Sequence, residues 1–201
     1  MPRAVPLSPD ARRAALMAAT APLLEVHGRN VSTRQIAEAA GVAEGTIFRV
    51  FDSKEGLVDA VVEEAFGVET TCRKLAEIDA GADLEARLVQ AVTLLQERQR
   101  RVFALFHALA LSRDLPGDPA RHAKHLRDNT LLDAALAGVV GPDAARLRFT
   151  SEDAASLLKA LTFAVCHPIL SDHRHTEPRQ IVDILLHGIC AAAPNRKEDS
   201  C

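Results

Sequence analysis

Residues 32–54, STRQIAEAAGVAEGTIFRVFDSK, hold two short helical patterns joined by a glycine turn, and no other stretch constrains the fold so tightly. Across Thr33–Ala40, Ile36, Ala37 and Ala40 share one face at helical spacing, and Gly41 supplies the left-handed exit that a tight helix end requires. Across 44–51, Ile47 and Phe51 lie one turn apart and point inward, which leaves Glu44, Gly45, Thr46, Phe48 and Arg49 facing out. Helices joined by so short a turn cross steeply. That crossing lets a second helix enter the major groove of DNA.

Four blocks in order carry a wider likeness: AATAPLLEVHG ending at Gly28, TRQIAEAAGV, GTIFRVF, and SKEGLVDAV opening the next helix. From about Ala14 to Phe66 the chain resembles the tetracycline-repressor (TetR) family of bacterial transcriptional regulators. The resemblance covers the first third of the chain. It implies an all-α protein of about nine helices: a three-helix, helix-turn-helix DNA-binding domain over 1–53, a helical effector-binding and dimerisation domain over 54–193, and a disordered tail over 194–201. It further implies a repressor that binds a palindromic operator as a homodimer and is released by a small-molecule effector. No cofactor is implied and no catalytic role.

The outward face can be read contact by contact. Arg49 has the fork geometry for guanine O6 and N7, a pair worth about 1–3 kcal/mol of discrimination. Thr46 reaches a phosphate or a thymine methyl, and Gly45 permits close backbone approach. Thr33 and Arg34, at the start of the preceding helix, are placed for a phosphate. Lys54 resembles the family's backbone-clamping lysine. The chain also departs from the family pattern. Ala43 stands where a capping Ser is frequent, Glu44 where a basic residue is common, Phe48 where Tyr is frequent, and Val50 where His is. Glu44 repels phosphate yet can accept from cytosine N4.

Composition agrees with a helical protein. Of 201 residues 48% are apolar, Ala and Leu prominent among them, while aromatics reach only 3% with no Trp or Tyr, which argues against an aromatic stacking platform for single strands. No apolar run approaches the roughly 20 residues of a membrane span, and Ser8, Pro9 and Asp10 interrupt any leader-like segment, so a cytoplasmic protein is expected. Cys72, Cys166, Cys190 and Cys201 show neither close pairs nor metal-like spacing, as expected of reduced thiols. The net charge of −3 divides unevenly: residues 1–54 carry +2 and the remainder −5. So small a surplus favours a few placed phosphate contacts over a charge-driven coat on DNA.

Periodicity predicts the remaining elements. Ser8 and Pro9 open a helix to about His27 with Leu16, Leu23 and Val26 on its core stripe. Ser53 caps a long helix to about 78, with Leu57, Val61, Ala65, Val68, Cys72 and Leu75 on one face. Further helices are expected over 83–99, 101–113 and 119–139, with a charged break at 98–101. After Gly141 and Pro142, one helix starts near Ser151 and carries Leu157, Leu158, Leu161, Phe163, Val165 and Ile169; another spans about 177–193.

These last two helices are apolar around much of their circumference. Leu157, Leu161, Val165, Ile181, Leu185 and Ile189 are therefore expected at a homodimer interface, which gives a two-fold operator its second reading head. By resemblance the C-terminal region encloses an effector pocket, with Phe103, Phe106, His107, Asn129, Leu132 and Phe163 as candidate lining and a largely apolar effector. His122 with His125, and His173 with His175, lack the acidic or Cys partners that a metal site needs, so no metal is assigned. The alternative from another class is a helical protein-interaction module that keeps a residual DNA-binding head.

Overall fold

The computed structural model describes residues 8–109, 119–172 and 174–188, with side chains in the helix beginning at Pro119 described from residue 123 on. Ile189, Cys190, Cys201, His173, the His122 side chain and the 194–201 tail lie outside the described residues. Eight α-helices and three 3-10 segments occur among the described residues, and no strand: α1 Pro9–His27, α2 Thr33–Ala40, α3 Lys54–Phe66, α4 Glu69–Ala76, α5 Leu84–Ala108, α6 Pro119–Val140, α7 Ser151–Cys166 and α8 Pro178–His187. The 3-10 segments are Gly28–Asn30, Glu44–Arg49 and Gly141–Arg146. The chain divides into two compact units, one from the stretches up to Arg73 and Glu97–Leu132, the other from Lys74–Gln96 and from Asp133 onward.

In the first unit α1 begins as its sequence requires. The Ser8 side chain accepts from the Ala11 amide, and Pro9 takes the first helical position where no backbone donor is needed. Its core stripe differs from expectation. Leu16, Thr20 and Leu24 are buried at four-residue intervals, whereas Val26 is 76% exposed. Thr20 takes a core position because its hydroxyl donates to the Leu16 carbonyl at 2.7 Å, so no polar group is left bare. Leu16 and Leu24 join Ile36, Ile47, Phe51 and Leu57 in one cluster, which Leu105 and Leu109 complete. The core of the N-terminal segment therefore includes side chains from the end of α5.

The expected helix from 53 to 78 is two helices. Ser53 caps α3 through the Gly56 amide, but the chain leaves the helix at Gly67, whose amide bonds back to Glu63 and Glu64. The Arg98 guanidinium donates at 2.6 Å to the carbonyl of Phe66, the last residue of α3, and so satisfies an acceptor that a continuous helix would have used internally. Val68 and Leu75 stay buried across the break, which is why the apolar period shows no interruption.

The expected break at 98–101 is absent. One helix of 25 residues runs from Leu84 to Ala108, because Arg and Gln are good helix formers and charge alone does not end a helix. In the second unit α5 buries Leu84, Leu88, Ala91, Val92 and Leu95 on a single stripe. The carbonyl of Val139 near the end of α6 accepts from Arg87, a side chain only 2% exposed that also donates to the Ala82 carbonyl and, at 2.6 Å, to Asp143. Beside Asp143 the Arg146 guanidinium donates at 2.6 Å to its second oxygen. These two hydrogen bonds, Arg87's first, hold the Asp143 carboxyl below its usual range.

α7 is capped by Thr150 and turns Ala155, Leu158 and Thr162 inward against α8. It ends at Cys166, so Ile169 is not on the helix but exposed in the following turn. Gln96 ties α5 to this region by donating to the Thr176 carbonyl at 2.6 Å. Described residues of α8 end at His187, with Gly188 at φ 79° closing the helix; the rest of the span expected to 193 lies outside the described residues.

Candidate nucleic-acid interface

α2 is fixed at both ends. Ser32 accepts from the Gln35 amide while the Gln35 side chain accepts from the Ser32 amide at 2.9 Å, a reciprocal capping box. At the other end Gly41 adopts φ 65°, ψ 32°, the left-handed exit expected from its position, and its amide reaches back to Ala37 and Glu38. The capping box was legible as the S-x-x-Q spacing, although the apolar period alone does not reveal it.

Residues 44–49 form a 3-10 segment rather than an α-helix reaching residue 51. Ala43 offers no side-chain cap, so the first turn tightens: the Thr46 amide bonds to the Ala43 carbonyl at 2.8 Å. Ile47 and Phe51 point inward as expected. The guanidinium of Arg13 on α1 sits 4.3 Å from the centre of the Phe51 ring, a cation–π contact that anchors this segment against α1. Glu44, Gly45, Phe48 and Arg49 are exposed and Thr46 half-buried, so the outward face is the one the sequence predicts.

Three of the residues on and around this face are held by protein partners. The Thr33 hydroxyl donates to the Glu44 carboxylate, eleven residues away. Lys54 donates to the Arg29 carbonyl at 3.0 Å and so ties the start of α3 to the 3-10 turn after α1. Arg34 is exposed at the start of α2.

Of the candidate effector residues, Phe103, Phe106, His107, Asn129 and Leu132 belong to the first unit and Phe163 to the second. Phe106 packs edge-on against Phe66, with ring centres 5.2 Å apart, Leu132 is buried, His107 is exposed, and Asn129 pairs with His125 at 3.3 Å. A cleft of about 140 Å³ in the second unit is lined instead by Leu84, Leu88, Val140, Leu157, Leu185 and Leu186, with Arg146, Arg148 and Phe149 among its other walls. None of the six expected residues lines it.

Among the expected interface residues, Leu157 is 46% exposed, Leu161, Val165 and Leu185 are half-buried, and Ile181 is fully buried within its own chain. Ile181 therefore packs inward and presents nothing to a partner. Phe163, assigned to the pocket from the sequence, is 44% exposed on α7 beside His167. Burial, and secondarily Glu69, pushes the Cys72 thiol above its ordinary value, which disfavours the reactive thiolate. Among the described residues no three His, Cys, Asp or Glu side chains cluster as a metal site, and no helix is long and apolar enough to cross a membrane.

Residues 16–61 match the family model of bacterial regulatory proteins of the tetR family. No curated protein matches the chain by sequence. Among solved structures the fold is similar to a TetR transcriptional regulator from Streptomyces coelicolor, 21% identical with a TM-score of 0.59, covering 86% of this chain and 95% of that one. It is also similar to a putative TetR-family regulator from Mesorhizobium loti, 17% identical with a TM-score of 0.63 over 90% of this chain and 95% of the other. A fatty acid degradation regulator from Bacillus halodurans is 18% identical, with a TM-score of 0.58 over 89% and 96% of the two chains. By sequence over residues 16–61, and by a fold it shares along most of its length, the chain carries the DNA-binding domain of the tetR family of bacterial transcriptional regulators.

Proposed function

We propose that the protein is a repressor that binds a palindromic operator as a homodimer and leaves it when a small, largely apolar effector binds. The observation that carries the DNA-reading part is the exposed face of residues 44–49, with Arg49, Thr46 and Gly45 outward from a scaffold whose Ile47 and Phe51 are buried. Residues 1–53 do the reading. The helical remainder serves effector binding and dimerisation.

Support for the dimer comes from α7, where Leu157, Ala160, Leu161 and Ala164 form a stripe at helical spacing with Leu157, Ala160 and Ala164 exposed, and Phe163 adds an exposed aromatic ring. Support for effector control comes from α5, which belongs to both compact units and lends Leu105 to the core of the head, with Leu109 following just past its end. An effector releases DNA only if it prefers one of two dimer conformations, because equal affinity for both shifts nothing.

The test is a gel shift with the promoter region beside the protein's own gene and with fragmented genomic DNA, repeated at rising salt. Sequence-specific, salt-sensitive retardation is expected. No specific complex with any fragment sinks the reading.

A further inference from the structure

The hydrogen bond from Thr33 to Glu44 joins two side chains that the fold itself does not need. α2 is already fixed by its capping box and Gly41, and the recognition segment by Ile47 and Phe51. A hydroxyl has one proton to give, so a Thr33 that donates to Glu44 has no donor left for a phosphate. Glu44, for its part, is exposed at the front of the segment that reads DNA, where a carboxylate works against phosphate attraction. With one oxygen accepting from Thr33, its direction is set and the other oxygen remains to meet a base.

An ionised carboxylate only accepts hydrogen bonds. In the major groove cytosine offers the N4 amino donor and adenine the N6 donor, whereas guanine and thymine present the acceptors O6 and O4. Adenine sets its acceptor N7 beside N6, facing the rest of the carboxylate; cytosine has only a C–H there. Resting on the DNA-reading function proposed above, we propose that Glu44, positioned by Thr33, is a base filter that selects cytosine at one position of each half-site, tolerates adenine poorly and rejects guanine and thymine. Arg49 then reads guanine by donation and Glu44 reads cytosine by acceptance. Thr33 is a positioning residue.

Selection of duplex DNA from a random library with the full-length protein, Glu44→Gln and Thr33→Val tests this, with circular dichroism to confirm that each variant is folded. For the wild type one position per half-site is expected to favour cytosine over guanine or thymine by about tenfold or more. A glutamine both donates and accepts, so Glu44→Gln is expected to move that position from cytosine to adenine and leave the others unchanged. Thr33→Val is expected to keep cytosine first but narrow its margin several-fold. If Glu44→Gln tightens binding to every sequence equally and leaves the base profile unchanged, Glu44 only tunes electrostatics and the filter is overturned while DNA reading stands. A Thr33→Val profile identical to wild type overturns the positioning role. A folded wild type that enriches no sequence overturns the proposed function and the filter with it.

Discussion

Gly28 lies so close to the end of α5 that a β-carbon on it would stand 2.5 Å from the carbonyl oxygen of Ala108. Gly28 also holds φ 56°, ψ −142°, a region that side chains avoid. Gly41 is a fair control, since it too has positive φ but open space around its β-carbon position. Gly41→Ala is expected to cost about 1–2 kcal/mol, and Gly28→Ala clearly more, because a backbone oxygen cannot rotate away. Urea denaturation of the two variants side by side checks this; equal losses would mean that α5 yields at Ala108 without cost.

Gln35→Ala removes half of the α2 capping box and leaves the Ser32 amide without its partner. A loss of about 1 kcal/mol is expected, read as a lowered denaturation midpoint. Gln35→Glu, which can accept from the same amide, is expected to recover most of it.

Asp143 is held ionised by Arg87 and Arg146, and its lowered pKa has a definite sign. A carboxyl whose folded value lies below its unfolded value of about 3.9 contributes stability that is fully present above that unfolded value and is lost as pH falls through the folded one. Melting temperatures of wild type and Asp143→Asn should therefore differ by a constant amount above about pH 5 and converge in acid. A gap that persists undiminished at the acid end would show that the loss comes from packing.

Arg49→Ala is expected to relax discrimination at one base pair per half-site, by about 1–3 kcal/mol, and to leave the rest of the operator profile intact. Lys54→Ala is expected to weaken all sequences similarly and to flatten the salt dependence. Because Lys54 also holds the Arg29 carbonyl, its variant should lose some thermal stability as well, whereas Arg49→Ala should not. Competition binding at several salt concentrations separates the two.

Leu157→Glu places a charge in the exposed apolar stripe of α7. Sedimentation is expected to show a monomer, and circular dichroism an unchanged helical content. A dimer of undiminished stability would move the interface elsewhere.

Much of the head was legible in the sequence because its signals are local. Ser8 and Pro9 mark the start of α1, Gly41 the end of α2, and Ile47 with Phe51 the inward face of the recognition segment, each within a few residues of what it controls. The errors share a cause. Arg98 reads as part of a charged break, yet it lies inside an unbroken α5 and its guanidinium reaches 32 residues back to the Phe66 carbonyl at the end of α3, a bond that spacing does not reveal. Periodicity identifies an apolar face without saying which neighbour covers it, so it does not tell that Ile181 is buried within its own chain while Phe163 is exposed. Glu44 reads as outward-facing and is exposed, and Thr33 reads as the start of α2, but a bond across eleven residues leaves no trace in spacing.

α5 buries Leu88, Ala91, Val92 and Leu95 in one unit and, further along the same unbroken helix, Leu105 in the other, with Leu109 just past its end. Each residue of an α-helix advances the side-chain direction by about 100°. Adding or deleting a single residue between Leu88 and Leu95 would therefore turn part of this stripe away from the core of its own unit. Within Leu88–Leu95 the spacing of the residues is thus as much a part of the core as the side chains themselves.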